Sequence, residues 1–96
     1  MIKRPQHLAS YYAASVYEVF DRKGRSHIEA YPEQGASLGG VLKVASKVSQ
    51  ERDTPVFLTF NEHDMVVTPE TSESGLKNLE KNYEAEEKRH RLNRVG

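Results

Sequence analysis

The side chains with the strongest claim to chemistry are four histidines, His7, His27, His63 and His90, all but His7 with a carboxylate nearby in the sequence or within reach. Imidazole titrates near neutrality and ligates metals, so a histidine beside an acid is the first pattern to test. Glu62, His63 and Asp64 are consecutive, but in the tight turn expected over residues 61–64 three adjacent side chains do not converge on one ion without help from elsewhere. His27 and Glu29 stand two apart on one face of an expected strand, as two ligands or as an acid and base pair that needs a third group from the fold. Neither HxxxH nor HxH spacing occurs, so exposed polar residues are expected there and a metal is not. The chain has no cysteine, and none of its serines lies in a GxSxG context. No catalytic residue, metal or cofactor is therefore expected, and the chain reads as a non-enzyme.

A second pattern is GASLGG at residues 35–40, a glycine-bearing turn running into a helix N-terminus, where unpaired amides and the helix dipole could hold a phosphate. It is not a Walker motif, because Val41 and Leu42 follow Gly40 where a lysine and a hydroxyl residue are needed. The alternative is that Gly39 and Gly40 let the first helical turn approach a sheet closely, against a propensity cost of ~1 kcal/mol each.

Charge is the third. Fourteen basic and fourteen acidic side chains cancel, so any electrostatic role must come from clustering. From Glu70 to Glu87 six acids face only Lys77 and Lys81, whereas Lys88, Arg89, Arg91 and Arg94 crowd the C-terminus. Those four are candidate nucleic-acid contacts, each adding to a salt-sensitive affinity. They equally complement the negative end of a helix dipole, and no RNP-like strand, helix-turn-helix or zinc-finger spacing accompanies them. Tyr11, Tyr12, Tyr17 and Tyr31 gather in or near the first expected hairpin, more than a small core requires, and tyrosine suits protein interfaces. With Glu84 and Glu87 of the C-terminal helix they are the candidate partner-binding residues.

These groups need elements to hold them. At 96 residues the chain makes one domain, 1–96, able to bury about 60% of its unfolded surface. Residues 1–10 read as a flexible lead-in and 85–96 as a solvated charged tail. The absence of cysteine fits a cytoplasmic protein. The longest apolar run falls far short of the ~20 residues of a membrane span, and the polar start MIKRPQH lacks a signal-peptide core.

Residues 8–21 alternate, with aromatic and β-branched residues in the second half favouring a strand, although 9–14 could form a helical turn. DRKG at 21–24 supplies turn chemistry, and a second strand over 25–31 places Ile28 and Ala30 inward and His27, Glu29 and Tyr31 outward. In residues 37–53 Leu38, Val41, Leu42, Ala45 and Val48 fall on one helical face, with Ser37 as N-cap and Pro55 ending the helix. A strand over 56–61, with Val56, Leu58 and Phe60 on one side, turns back into MVVT at 65–68. A C-terminal helix follows, capped by Ser72 or Ser74, whose apolar stripe of Leu76, Leu79 and Tyr83 fades after one and a half heptads. Pairs Glu84 with Lys88 and Glu87 with Arg91 support its outer part.

The expected fold is α+β: a four-stranded antiparallel sheet in the order ββαββ, with a central helix on one face and the C-terminal helix on its edge or other face. The run PVFLTFNEHDMVVTPE followed by a charged helix resembles small proteins encoded by bacteriophages and mobile elements, anti-CRISPR inhibitors among them. The resemblance covers roughly residues 16–84 and transfers no functional residue. It implies an inhibitor or modulator that occupies the surface of a host protein or complex without catalysis. Nucleic-acid association, with a homodimer as one form it could take, is the alternative; no membrane role is expected.

Overall fold

A computed structural model describes residues 6–11 and 13–94, with the backbone alone for Ala9, Ser10 and residues 90–94. The chain is α+β, with strands β1 (Gln6–Ser10), β2 (Ala14–Phe20), β3 (Ser26–Pro32), helix α1 (Leu38–Arg52), β4 (Val56–Phe60), β5 (His63–Val67) and helix α2 (Glu73–Arg94). The strands form one sheet in the order β1-β2-β3-β4-β5.

Two corrections follow. The sheet has five strands, because Gln6–Ser10, inside the expected flexible lead-in 1–10, pairs antiparallel with β2 through Gln6↔Glu18 and His7↔Tyr17, with a bulge between His7 and Ala9. The sheet is also mixed: β3 and β4 are parallel, Ile28 opposite Val56 and Ala30 opposite Leu58. The reason is the length of α1. A 15-residue helix spans about 22 Å, close to the reach of a seven-residue strand, so it returns the chain to the end where β3 began. β4 then starts beside the start of β3 and runs the same way. The two expected hairpins are therefore present, β2 with β3 and β4 with β5, joined along a parallel seam.

α1 lays the expected stripe on the sheet. Leu38, Val41, Leu42, Ala45 and Val48 are buried against Ala14, Val16, Ile28, Ala30, Val56, Leu58 and Val67. Ser37 caps it, its Oγ accepting from the Gly40 amide at 3.1 Å, and Asp53 closes it in the left-handed region with its amide donating to the Ser49 carbonyl. The buried Ser49 hydroxyl donates to the Thr54 carbonyl at 2.7 Å, and the Val67 carbonyl lies at 3.3 Å, tying the end of α1 to β5.

α2 packs on the same side of the sheet as α1, where an edge or opposite-face position was expected. Leu76, Leu79 and Tyr83 rest on the core, and Tyr83 meets Phe60 and His63 edge-on at 5.3 and 5.1 Å. The helix runs on to Arg94, and Glu87 lies 3.1 Å from His63 Nε2; the side chain of Arg91, its expected partner, lies outside the described residues. With both helices on one face, the other face of the sheet carries no layer from the described residues.

Candidate functional site

The uncovered face is built by register alone. Alternation sends Ser15, Tyr17 and Val19 of β2, His27, Glu29 and Tyr31 of β3, Phe57 and Thr59 of β4, and Asp64 and Val66 of β5 outward, away from the buried partners that separate them. In this lattice Glu29 sits at a crossing. His27 and Tyr31 flank it along β3, Tyr17 lies opposite on β2 and Phe57 opposite on β4. A carboxylate is thus ringed by four aromatic side chains.

The rings are ordered against one another. Tyr17 meets Tyr31 edge-on at 5.4 Å, His7 meets Tyr17 at 5.1 Å, and His27 meets Phe57 at 5.7 Å. His27 Nε2 stands 3.1 Å from Glu29 Oε2; a carboxylate only accepts, so the ring nitrogen facing it carries the proton. The Thr59 hydroxyl donates to Asp64 Oδ1 at 2.6 Å. Between these groups lies a shallow depression of about 490 Å³ lined by His27, Glu29, Tyr31, Phe57, Thr59 and Asp64. Tyr31, Phe57 and Val66 are 46%, 45% and 42% exposed, large apolar surface that a sheet face turned only to water has no reason to keep. Partial burial, and after it the charge and hydrogen bonding of Glu29, pushes the Tyr31 hydroxyl above its usual range.

Charge on this face is one-sided. None of the five strands contains a lysine or arginine, while two of their three acids, Glu29 and Asp64, point outward and Glu18 lies on the helical side, opposite Ile28. The helices hold nine lysines and arginines against six acids.

The candidate residues are scattered by the fold. Tyr17 and Tyr31 stand together on the open face, whereas Tyr11 packs toward the core with Lys47 Nζ 5.4 Å from its ring centre. Tyr12 lies outside the described residues. Glu84 is exposed on α2, on the helical side, and Glu87 is bound to His63. Lys88 and Arg89 are exposed near the end of α2, and the side chains of Arg91 and Arg94 lie outside the described part. His27 and Glu29 do pair, but among the described residues no group of three or more His, Asp or Glu is placed to hold a metal.

His63 is the residue most displaced from expectation. Asn61 and Glu62, at φ 46° and 70°, make a two-residue turn of the kind that matches the strand twist, so His63 is the first residue of β5 and faces α2. Its Nδ1 is 2.8 Å from Glu86 and its Nε2 3.1 Å from Glu87, while Asn61 Nδ2 donates to the Tyr83 hydroxyl at 2.6 Å. This cluster fastens α2 and is structural.

The glycine-rich start of α1 also finds its explanation. A Cβ on Gly39 would stand 2.9 Å from Glu80 Oε2, and one on Gly40 3.3 Å from Ala13 Cβ. Gly39 and Gly40 admit α2 and the β1–β2 connection against the helix. The Glu80 carboxylate already supplies the negative charge that the helix N-terminus favours, leaving no case for a phosphate. A groove of about 860 Å³ runs between α1 and α2, lined by side chains that include Lys43, Lys47, Lys77 and Glu80.

The aromatic ring around Glu29 was missed in sequence because Phe57 reaches it only through the parallel seam; the absence of Lys and Arg from every strand was the signal that could have marked the face. Comparison with known protein families, with curated proteins and with solved structures found no match.

Proposed function

We propose that the chain is a non-enzymatic binding module that docks a protein partner on its open sheet face. The observation that carries this reading is the combination of exposed Tyr31, Phe57 and Val66 with outward carboxylates and no lysine or arginine in any strand. Aromatic surface around a few polar groups is the anatomy of a protein interface. A nucleic acid stacking on sheet aromatics brings phosphates toward Glu29 and Asp64, which repel them. A second copy of the chain presents the same carboxylates, so face-to-face dimerisation is disfavoured too. Action as an inhibitor or modulator of a host complex in the cytoplasm belongs to this proposal, and its support is the resemblance to phage-encoded proteins. No helix among the described residues is long and apolar enough to cross a membrane.

The alternative, nucleic-acid association through Lys88, Arg89, Arg91 and Arg94, uses the far end of α2, away from the open face. One experiment separates them. A photo-crosslinking residue at Phe57, with a control at Ser46 on α1, captures a protein from Phe57 alone if the docking reading holds, and Val66→Ser weakens that capture. Nucleic-acid retention that falls steeply with salt and vanishes when the four cations become Ala would replace the proposal by its alternative.

A further inference from the structure

We infer that the depression centred on Glu29 receives a basic side chain, with arginine the best fit, from the protein that docks on the open sheet. This deepens the docking reading and rests on it. A cation is the complement of what the site presents: two outward carboxylates, Glu29 and Asp64, and the rings of Tyr31 and Phe57, with no strand lysine or arginine to compete. Ring faces attract cations, most strongly where water is partly excluded. A guanidinium adds a flat surface to lie on a ring and several donors to meet a carboxylate side by side, which an ammonium lacks.

The acids are held for this role. His27 holds Glu29 by one oxygen at 3.1 Å, and Thr59 holds Asp64 by one oxygen at 2.6 Å. Each carboxylate accepts about four hydrogen bonds, so His27 and the Tyr31 hydroxyl at Glu29, and Thr59 at Asp64, leave capacity for the incoming cation. Glu29 is itself only 31% exposed in its side chain, walled by aromatic neighbours, and an attraction made there is screened less than one on an open surface. The Tyr31 hydroxyl registers that carboxylate in its raised pKa, behind the larger effect of burial. Among the described residues no other cluster shares this make-up: the acids of α2 have basic neighbours one turn away, Lys77 beside Glu80 and Lys81 beside Glu84.

The test is a titration of the full chain, followed by amide NMR, with the capped tripeptide Leu-Arg-Leu and its citrulline counterpart, which keeps shape and loses charge. The arginine peptide is expected to shift amides of residues 27–31, 57–59 and 64 in the low-millimolar range, with citrulline weaker by about tenfold, the scale of a partly desolvated cation–aromatic contact. Glu29→Gln and Phe57→Leu each lower the arginine affinity by a similar factor while the rest of the spectrum stays in place. Equal shifts by citrulline, shifts confined to α2, or none up to about 10 mM, beyond the range of a contact worth a few kcal/mol, overturn the inference. A lysine peptide binding as tightly as arginine overturns the choice of guanidinium. A partner that crosslinks at Phe57 but binds Glu29→Gln and Asp64→Asn as it binds the original chain overturns the cation site and leaves the docking face standing.

Discussion

His63 Nδ1 on β5 lies 2.8 Å from Glu86 Oε2 on α2, and one residue further along the helix Glu87 reaches the other ring nitrogen at 3.1 Å. Both partners only accept, so a ring nitrogen donates wherever one of these contacts is a hydrogen bond. The histidine is 18% exposed in its side chain and is packed edge-on against Tyr83, so this side chain of the β4–β5 hairpin helps to fasten the outer half of α2.

Replacing that side chain tests the attachment. His63→Ala is expected to cost about 1–2 kcal/mol, the range for partly buried charge-assisted hydrogen bonds. The loss should appear as faster amide hydrogen exchange in residues 80–90, with α1 and the central strands keeping their protection. Uniform acceleration across the chain would show instead that the cluster supports the whole fold.

The two glycines of the first turn of α1 should respond differently. At Gly39 the obstruction is the end of the Glu80 side chain, which rotates away, so Gly39→Ala is expected to be neutral or to stabilise by up to about 1 kcal/mol from helix propensity. At Gly40 the obstruction is Ala13 Cβ at 3.3 Å together with the capping Ser37 Oγ, neither able to swing clear, so Gly40→Ala should be the less stable of the two by denaturant unfolding. The reverse order would show that Glu80 is pinned.

Glu62 holds φ 70° in the β4–β5 turn, a region in which an L side chain costs about 1 kcal/mol. Glu62→Gly is expected to recover part of this, by ~0.5 kcal/mol or more, in thermal unfolding. Asn61, at φ 46°, already suits its place, and Asn61→Ala should destabilise.

Tyr31 gives a pH signature. Its hydroxyl is raised above the ordinary tyrosine value by burial first and by Glu29 second. The neutral phenol is thus favoured in the folded state, a contribution present below the unfolded value of about 10 and lost as pH rises through the folded one. An ultraviolet absorbance titration, compared with Tyr31→Phe, should show Tyr31 titrating late, moved toward the ordinary value by Glu29→Gln but not all the way, since burial remains. An unchanged late transition in that variant would remove Glu29 as a cause.

What the sequence made legible was whatever a local period or local turn decides. The stripe from Leu38 to Val48, the Ser37 cap and the inward Ile28 and Ala30 all follow from spacing within one element, and the structure has them. What it concealed depended on matching lengths or on one φ angle. β1 is a weak pattern of five residues that becomes a strand only because β2 offers an edge. The parallel seam follows from the span of α1, which no residue in β3 or β4 announces. His63 appeared to sit in a turn because the tight Asn61–Glu62 turn requires positive φ at a glutamate, and one residue of slip moves a side chain to the other face. Tyr11 and Tyr31 looked like one group by proximity in the chain, yet the fold sends them to opposite sides of the sheet.

The sorting of charge between strands and helices has one more consequence. A chain whose formal charges sum to zero has no long-range attraction as a point, but an excess of cations over acids in the helices, nine against six, opposite a sheet face with two outward acids and no strand cation, gives it a dipole moment. In the field of a charged body such a molecule experiences torque before it experiences pull, so it turns to present one side while still about a Debye length away. Its encounter rate with a basic surface should fall with added salt although its net charge is nil, and the orientation of arrival is decided before any side chain touches.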